Sequence, residues 1–279
     1  MKLLFTTILS FLCLFAETKV YDCFCFYNEF ELLKMRFEEL WDCVDHFVLV
    51  ESIETQKGNL KPLYFQENAA LFEKYKDKII HIVINERHPE FSLWEREHYQ
   101  RNCITRGLAR CKSDDIILIS DVDEIPRRTL LPSLIKKLHN QHCHSRINAI
   151  GLQQEIYFFQ LNRQTPTKET WGGGWWYGTV MTFYKEIKKS CPQYFRDHRS
   201  QFPLVYNAGW HFTWMGGRDR IRTKMVSVVE GDDAKGNCSD TFIDEWLAQH
   251  PAVPIDESFP RYLLDNLDHF KSIGYIAPY

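Results

Sequence analysis

Four short apolar runs set the architecture open to this chain: VYDCFCFY at 20–27, DHFVLVE at 45–51, IIHIVI at 79–84 and DIILIS at 115–120. Each has the length of a strand, and the last two are dense in β-branched residues. The stretches between them carry helical spacing instead. Within 29–40, Leu32, Leu33, Phe37 and Leu40 recur so as to fall on one helix face. Residues 69–75 also read as helix, and 93–111 as a long polar helix. Residues 52–62 hold Gly58, Asn59 and Pro62 and read as a loop. A β-α-β-α-β-α-β order with apolar strands is the pattern of a parallel sheet covered on both faces by helices, an α/β domain. Beyond about residue 146 the alternation stops. Residues 148–161, 179–184 and 203–206 read as further strands, so a mixed sheet that continues the first is expected rather than an independent domain.

The 279 residues suit one large α/β domain, taken as 18–279. Residues 1–17 form a separate unit. One lysine precedes an apolar stretch from Leu3 to Ala16, shorter than the roughly 20 residues that span a bilayer. It reads as a signal peptide or a short membrane anchor, so membrane attachment through 3–16 is an expectation. Nine cysteines include Cys13 in that leader. The eight others permit disulfides in an exported chain, with a pairing that the spacing does not give. Asn237-Cys238-Ser239 is an N-glycosylation sequon. A net charge of -3 with no long basic run argues against nucleic acid as a partner. Aromatic residues reach a high 15%; a large aromatic core is the plain reading for most of them, and aromatic faces also suit the C–H faces of sugar rings.

The fourth strand runs directly into Asp121-Val122-Asp123-Glu124, and Pro126 then marks the entry to a helix expected at 127–140. In open α/β sheets, ligands bind beyond the carboxyl ends of the strands. Three carboxylates within four residues at that place call for a positive partner, and a hard divalent cation is the natural one. In a D-x-D segment the two Asp side chains lie on one side of an extended backbone. One would hold the metal while the other reaches it through water or touches a nucleotide ribose, and the metal would stabilise a nucleoside diphosphate as leaving group. A solvated turn whose carboxylates aid the helix start is the plainer alternative. A nucleotidyltransferase or phosphohydrolase would need more clustered carboxylates or a G-x-x-x-x-G-K-[ST] loop, and the sequence has no such loop.

Read whole, the chain resembles the β-1,4-mannosyl-glycoprotein 4-β-N-acetylglucosaminyltransferases, glycosyltransferase family 17. The resemblance is carried by 21–51 (YDCFCFYNEFELLKMRFEELWDCVDHFVLVE), 94–108 (WEREHYQRNCITRGL), 115–127 (DIILISDVDEIPR), 208–214 (AGWHFTW) and 262–270 (YLLDNLDHF), in that order. It implies a GT-A-type nucleotide-diphospho-sugar transferase fold, with a mixed, mostly parallel central sheet flanked by helices. It further implies UDP-N-acetylglucosamine as donor, Mn2+ as the divalent metal and inversion at the anomeric carbon. The acceptor would be a mannose hydroxyl of a glycan or glycoprotein, and the location the secretory pathway, in the Golgi lumen or membrane if the source is a eukaryote and otherwise exported or envelope-associated.

Several further residues join the D-x-D as expectations. Glu97 and Arg101 are four apart and would share a helix face, with Arg101's planar fork meeting a phosphate or uracil oxygen. His211, late in the chain, would complete a metal site with Asp121 and Asp123, a mixed N/O set compatible with Mn2+. Residues 216–224 combine Gly216-Gly217 with four basic residues, and Arg222 and Lys224 would meet the diphosphate from a mobile loop. The alternative is a helix with a solvated basic face. Residues 171–178, rich in Trp and Gly, would form an acceptor platform or a loop clamped on the core. An inverting transfer needs a carboxylate base. Glu155, Glu124 and Asp219 are the candidates, with Glu155 preferred. A relative that binds carbohydrate but no longer turns over donor is the chief rival.

Overall fold

A computed structural model describes residues 18–140, 148–164, 175–228 and 239–279. The first half builds as the alternation predicts. Strand β1 (Val20–Cys25) is followed by helix α1 (Phe30–Leu40) and β2 (His46–Ser52). A short helix α2 (Tyr64–Glu67) and a 3-10 segment (Ala69–Lys78) lead to β3 (Ile79–Ile84). Helix α3 (Leu93–Asn102) then precedes β4 (Ile116–Asp121). Neighbours in the order β3-β2-β1-β4 all pair parallel.

The second half extends the same sheet. After the short β5 (Glu124–Pro126) and α4 (Leu131–Asn140), β6 (Ala149–Phe158) and β7 (Trp175–Phe183) pair antiparallel, and β7 pairs antiparallel with β4. Helices α5 (Tyr184–Ile187) and α6 (Pro192–Asp197) lead to β8 (Leu204–Val205) and β9 (Gly209–Thr213). Both of these strands pair parallel with β6, and β5 closes on β9 antiparallel. Helices α7 (Gly217–Met225), α8 (Asp240–Ala248), α9 (Arg261–Asp265) and α10 (Leu267–Ser272) complete the chain. This is the mixed, mostly parallel sheet flanked by helices expected of a GT-A-type fold.

Apolar layers cover the two faces of the sheet. On one face α1 and the Ala69–Lys78 segment set Leu33, Phe37, Leu40, Phe72 and Tyr75 against Phe24, Phe47 and Leu118. On the other, Ile104, Leu108 and Phe195 cover Cys23, Val48, Ile117 and Ile119. Each such side chain, once buried, contributes about 1.5–3 kcal/mol. A further cluster packs α9 and α10, through Leu263 and Phe270, on Trp210 and Phe212 of β9.

Three expectations change in detail. The segment after the acidic stretch is not yet helix: Glu124–Pro126 is a strand, and α4 begins only at Leu131. Glu124 therefore does not serve a helix N-terminus. The long polar helix at 93–111 ends at Asn102 and tightens into a 3-10 turn over Cys103–Leu108. Residues 216–224 form a helix start, the alternative to a mobile loop, with Gly216 and Gly217 at φ 106° and 80° at its entry.

Cys23, Cys25, Cys43, Cys103, Cys111 and Cys191 are free thiols, whereas Cys143 and Cys238 lie outside the described residues, as does the Asn237 sequon. No helix among the described residues is long and apolar enough to cross a membrane. The leader at 1–17, with the attachment expected of 3–16, lies outside them.

Candidate active site

The carboxyl ends of β1, β2 and β4 open on a cleft of about 1070 Å³, counting its mouth. Asp121, Val122 and Asp123 form part of its floor, and α3, α6, β9 and α7 supply walls through Glu97, Arg101, Arg196, His211 and Lys224.

Arg36 sets the shape of the acidic turn from beneath. It lies on α1, wholly buried, and grips Asp22 of β1 through Nε at 2.6 Å and Nη2 at 2.5 Å. Its Nη1 donates to the carbonyls of Asp121 at 3.0 Å, Val122 at 3.3 Å and Glu124 at 2.7 Å. One guanidinium thus satisfies three carbonyls that leave the sheet at the end of β4. In the sequence, the one signal that Arg36 points inward is its place on the face of α1 that carries Leu32 and Leu33.

The two Asp side chains then part company. Asp121 accepts from Arg101 Nη2 at 3.0 Å and from Arg196 Nη2 at 2.5 Å. Burial alone would raise its pKa, but the guanidinium groups of Arg196 and Arg101 hold it well below the usual carboxylate range. Asp123 has His211 Nε2 at 3.5 Å from one oxygen and accepts from Lys224 Nζ at 3.2 Å on the other. There too burial works upward, while Lys224 and then His211 bring the carboxyl down to about 2. Both carboxylates are ionised at neutral pH.

His211 reaches Asp123 because β5 turns back on β9, pairing Glu124 with His211. The approach is close at Gly209, where φ is 155° and a β-carbon would lie 2.2 Å from the Ile125 carbonyl. The His211 ring packs on Trp176 at 4.8 Å between centroids, and its Nδ1 is buried with no hydrogen-bond partner among the described residues. Packing on Trp176, not a hydrogen bond to Nδ1, orients this imidazole.

Glu97 and Arg101 pair on α3 as their spacing predicts, Oε1 to Nη2 at 2.5 Å. A capping box between Ser92 and Glu95 starts that helix. Its buried face is polar, Arg96, Glu97 and Arg101. Arg96 turns to Glu54 at 3.1 Å and to the carbonyls of Gln56, His88 and Phe91, fixing the loop beside the cleft. Arg196 and Lys61 were not legible as site residues. Lys61 lines the cleft with Nζ 5.3 Å from the ring centroids of both Tyr27 and Tyr64, and burial lowers it to about 8.

Other expected residues are not brought to the cleft. Glu124 is fully buried, its carboxylate taken up by Arg196 Nη1 at 2.6 and 2.9 Å, Trp176 Nε1 at 2.5 Å and the Asp121 N–H at 2.9 Å. Strand alternation gives Ile156 and Phe158 of β6 to the cleft and turns Glu155 away, where it accepts from the Tyr157 hydroxyl at 3.1 Å. Asp219 is 98% exposed and pairs at 2.8 Å with Arg222, which also pairs with Asp240. Neither Asp219 nor Arg222 lines the cleft, because α7 presents Lys224, and the turn after it Ser227, on the facing side. Of the Trp- and Gly-rich segment, 175–178 belong to β7 and 171–174 lie outside the described residues.

The family model for glycosyltransferase family 17 matches residues 11–228. The β-1,4-mannosyl-glycoprotein 4-β-N-acetylglucosaminyltransferases of Rattus norvegicus and Homo sapiens are each 28% identical, over 88% and 87% of this chain and 52% of theirs. The chain thus spans about half the length of these curated relatives. Among solved structures, a mannosyltransferase from Pyrobaculum calidifontis in complex with GDP-Man and Mn2+ overlaps 91% of this chain and 69% of that one. Its TM-score is 0.41, at 11% identity.

Proposed function

The chain belongs to glycosyltransferase family 17, and from that premise we propose that it is an inverting glycosyltransferase using a nucleotide-sugar donor and a divalent metal. The observation that carries the proposal is the meeting of Asp123 and His211 at the carboxyl end of β4. The finer reading is transfer of N-acetylglucosamine from UDP-N-acetylglucosamine to a mannose hydroxyl of a glycan, within the secretory pathway. The names of the similar curated proteins support it.

The residues fit a metal as a two-donor site. Among the described residues no cluster of three or more His, Cys, Asp or Glu could enclose an ion. Asp123 Oδ1 and His211 Nε2, 3.5 Å apart, offer one oxygen and one nitrogen on the same side. Such a site leaves positions for diphosphate oxygens and water, which suits Mn2+ or Mg2+ better than a closed structural metal. When bound, the metal would neutralise charge on the departing diphosphate. Asp121, with both oxygens engaged by arginines, is better placed to orient Arg101 and to meet a ribose or sugar hydroxyl than to ligate.

The chain's own groups then act as follows. Arg101 and Lys224 bring positive charge to the anionic donor. Tyr27, Gln100 and Lys61 add further polar groups to the lining. Trp176, Trp214 and Phe158 offer apolar faces near His211, where sugar rings would rest. The acceptor hydroxyl oxygen bonds to the anomeric carbon from the face opposite the diphosphate, whose C–O bond breaks with its electron pair. The hydroxyl proton passes to a base.

The test is turnover by the purified chain of a panel of UDP-sugars, with mannose-terminated glycans as acceptors, in Mn2+ and in chelator. Metal-dependent, selective use of UDP-N-acetylglucosamine is expected. Folded protein that uses no nucleotide-sugar would contradict the proposal and favour a binding-only relative.

A further inference from the structure

Three side-chain atoms among the described residues lining the cleft are buried without a hydrogen-bond partner: Glu97 Oε2, Arg101 Nε and His211 Nδ1. Glu97 is 7% exposed, and His98 Nε2 lies 3.6 Å from its Oε2, beyond hydrogen-bond reach. Its other oxygen is committed to Arg101 Nη2 at 2.5 Å. Arg101 in turn spends Nη1 on Gln193 at 2.6 Å and Nη2 on Asp121 at 3.0 Å, leaving Nε. The surroundings therefore fix the Glu97–Arg101 pair in place yet leave one acceptor and one donor unanswered beside the D-x-D. A buried polar atom without a partner is costly, so a group that answers it on binding gains more than it would at the surface. Hydroxyls both donate and accept, and a vicinal diol supplies the two functions from adjacent carbons.

We infer that Glu97, held by Arg101, is a specificity-determining residue that accepts a hydrogen bond from a sugar hydroxyl of the nucleotide-sugar. The inference rests on the nucleotide-sugar reading above and deepens it. The hydroxyl belongs either to the ribose or to the transferred sugar, and ligands lacking single hydroxyls separate the two. Removing the hydroxyl leaves Glu97 unpartnered in the complex. Replacing Glu97 by Gln keeps the shape and the bond from Arg101 but sets an amide against the incoming hydroxyl. A site built to bond a hydroxyl rejects the analogue that lacks it.

The experiment measures Mn2+-supported affinity of the wild-type chain and Glu97→Gln in two arms. One arm compares UDP with 2′-deoxy-UDP and 3′-deoxy-UDP. The other compares UDP-N-acetylglucosamine with its 3-deoxy and 4-deoxy forms. Wild type should favour the full ligand by about ten-fold or more in one arm, as for a hydrogen bond to a charged group. In Glu97→Gln that preference should shrink to within about two-fold. Should Glu97→Gln fail to fold, Glu97→Asp, which withdraws the carboxylate by one methylene, is compared in the same way. Preferences unchanged by substitution in both arms, or equal weakening of every ligand, would overturn the inference and leave Glu97 as a support for Arg101. Wild-type binding of no UDP ligand at all would instead overturn the nucleotide-sugar reading and the inference with it.

Discussion

Asp121 and Asp123 stand one residue apart at the end of the same strand, with opposite surroundings. Asp121 is locked between Arg101 and Arg196, and Arg196 continues to Glu124, so that an alternating series of charges ties α3, β4, α6 and β5 together. Asp123 meets a histidine at 3.5 Å and a lysine at 3.2 Å, both on elements that follow β8 in the chain. The first arrangement holds the floor of the cleft in shape. The second sets an oxygen and a nitrogen side by side, with the ammonium group of Lys224 on the other oxygen of Asp123. This division is set by what the neighbouring elements carry, α3 and α6 on one side and β9 and α7 on the other, and not by the tripeptide.

If Asp121's side is structural, breaking it should show first in stability. Arg196→Met strands the buried Glu124 carboxylate and removes half of Asp121's clamp. It should lower unfolding free energy by about 3–5 kcal/mol in urea titrations, and a change below about 1 kcal/mol would dissolve the contrast. Breaking Asp123's side should show first in chemistry. Asp123→Asn should lower turnover about a hundred-fold while circular dichroism reports a retained fold, and unaltered turnover would remove Asp123 from the metal site.

The same carboxylate gives a pH signature. Its folded-state pKa is depressed, to about 2. The stability it supplies is therefore present above the unfolded pKa near 4 and is lost as pH falls toward about 2, for a total of about 2 kcal/mol. Wild type should exceed Asp123→Asn by that margin at neutral pH, and the gap should close between about pH 4 and pH 2. A gap independent of pH would assign the difference to packing. The smallest effect is expected outside the cleft: Arg222→Ala removes the pairs to the exposed Asp219 and Asp240 and should cost less than about 0.5 kcal/mol with nucleotide affinity unchanged. A large loss of affinity would return Arg222 to the site.

The parallel half of the sheet was legible because its signals are local. Short apolar runs, helical spacing and a motif at a strand end each lie within a dozen residues. The Glu97–Arg101 pair was legible for the same reason. The mixed half depends on non-local pairing: β5 reads as a helix start until β9 binds it, and Glu155 reads as inward until register turns it outward. Arg36 and Arg196 escaped notice because a buried arginine is identified by partners far away in sequence. Asp22 lies 14 residues from Arg36, and Asp121 lies 75 from Arg196. No spacing rule connects such residues.

The central claim, that Asp123 and His211 hold the metal on which donor binding depends, is tested most directly by electron paramagnetic resonance of Mn2+ titrated into the full chain with UDP present. The measurement would be made on wild type, Asp123→Asn and His211→Ala, against UDP alone. Wild type should deplete the free Mn2+ signal well beyond what UDP achieves by itself, and both variants should fall back to the UDP-only curve. Variants that deplete the signal as wild type does, while remaining folded, would contradict the claim and place the metal elsewhere.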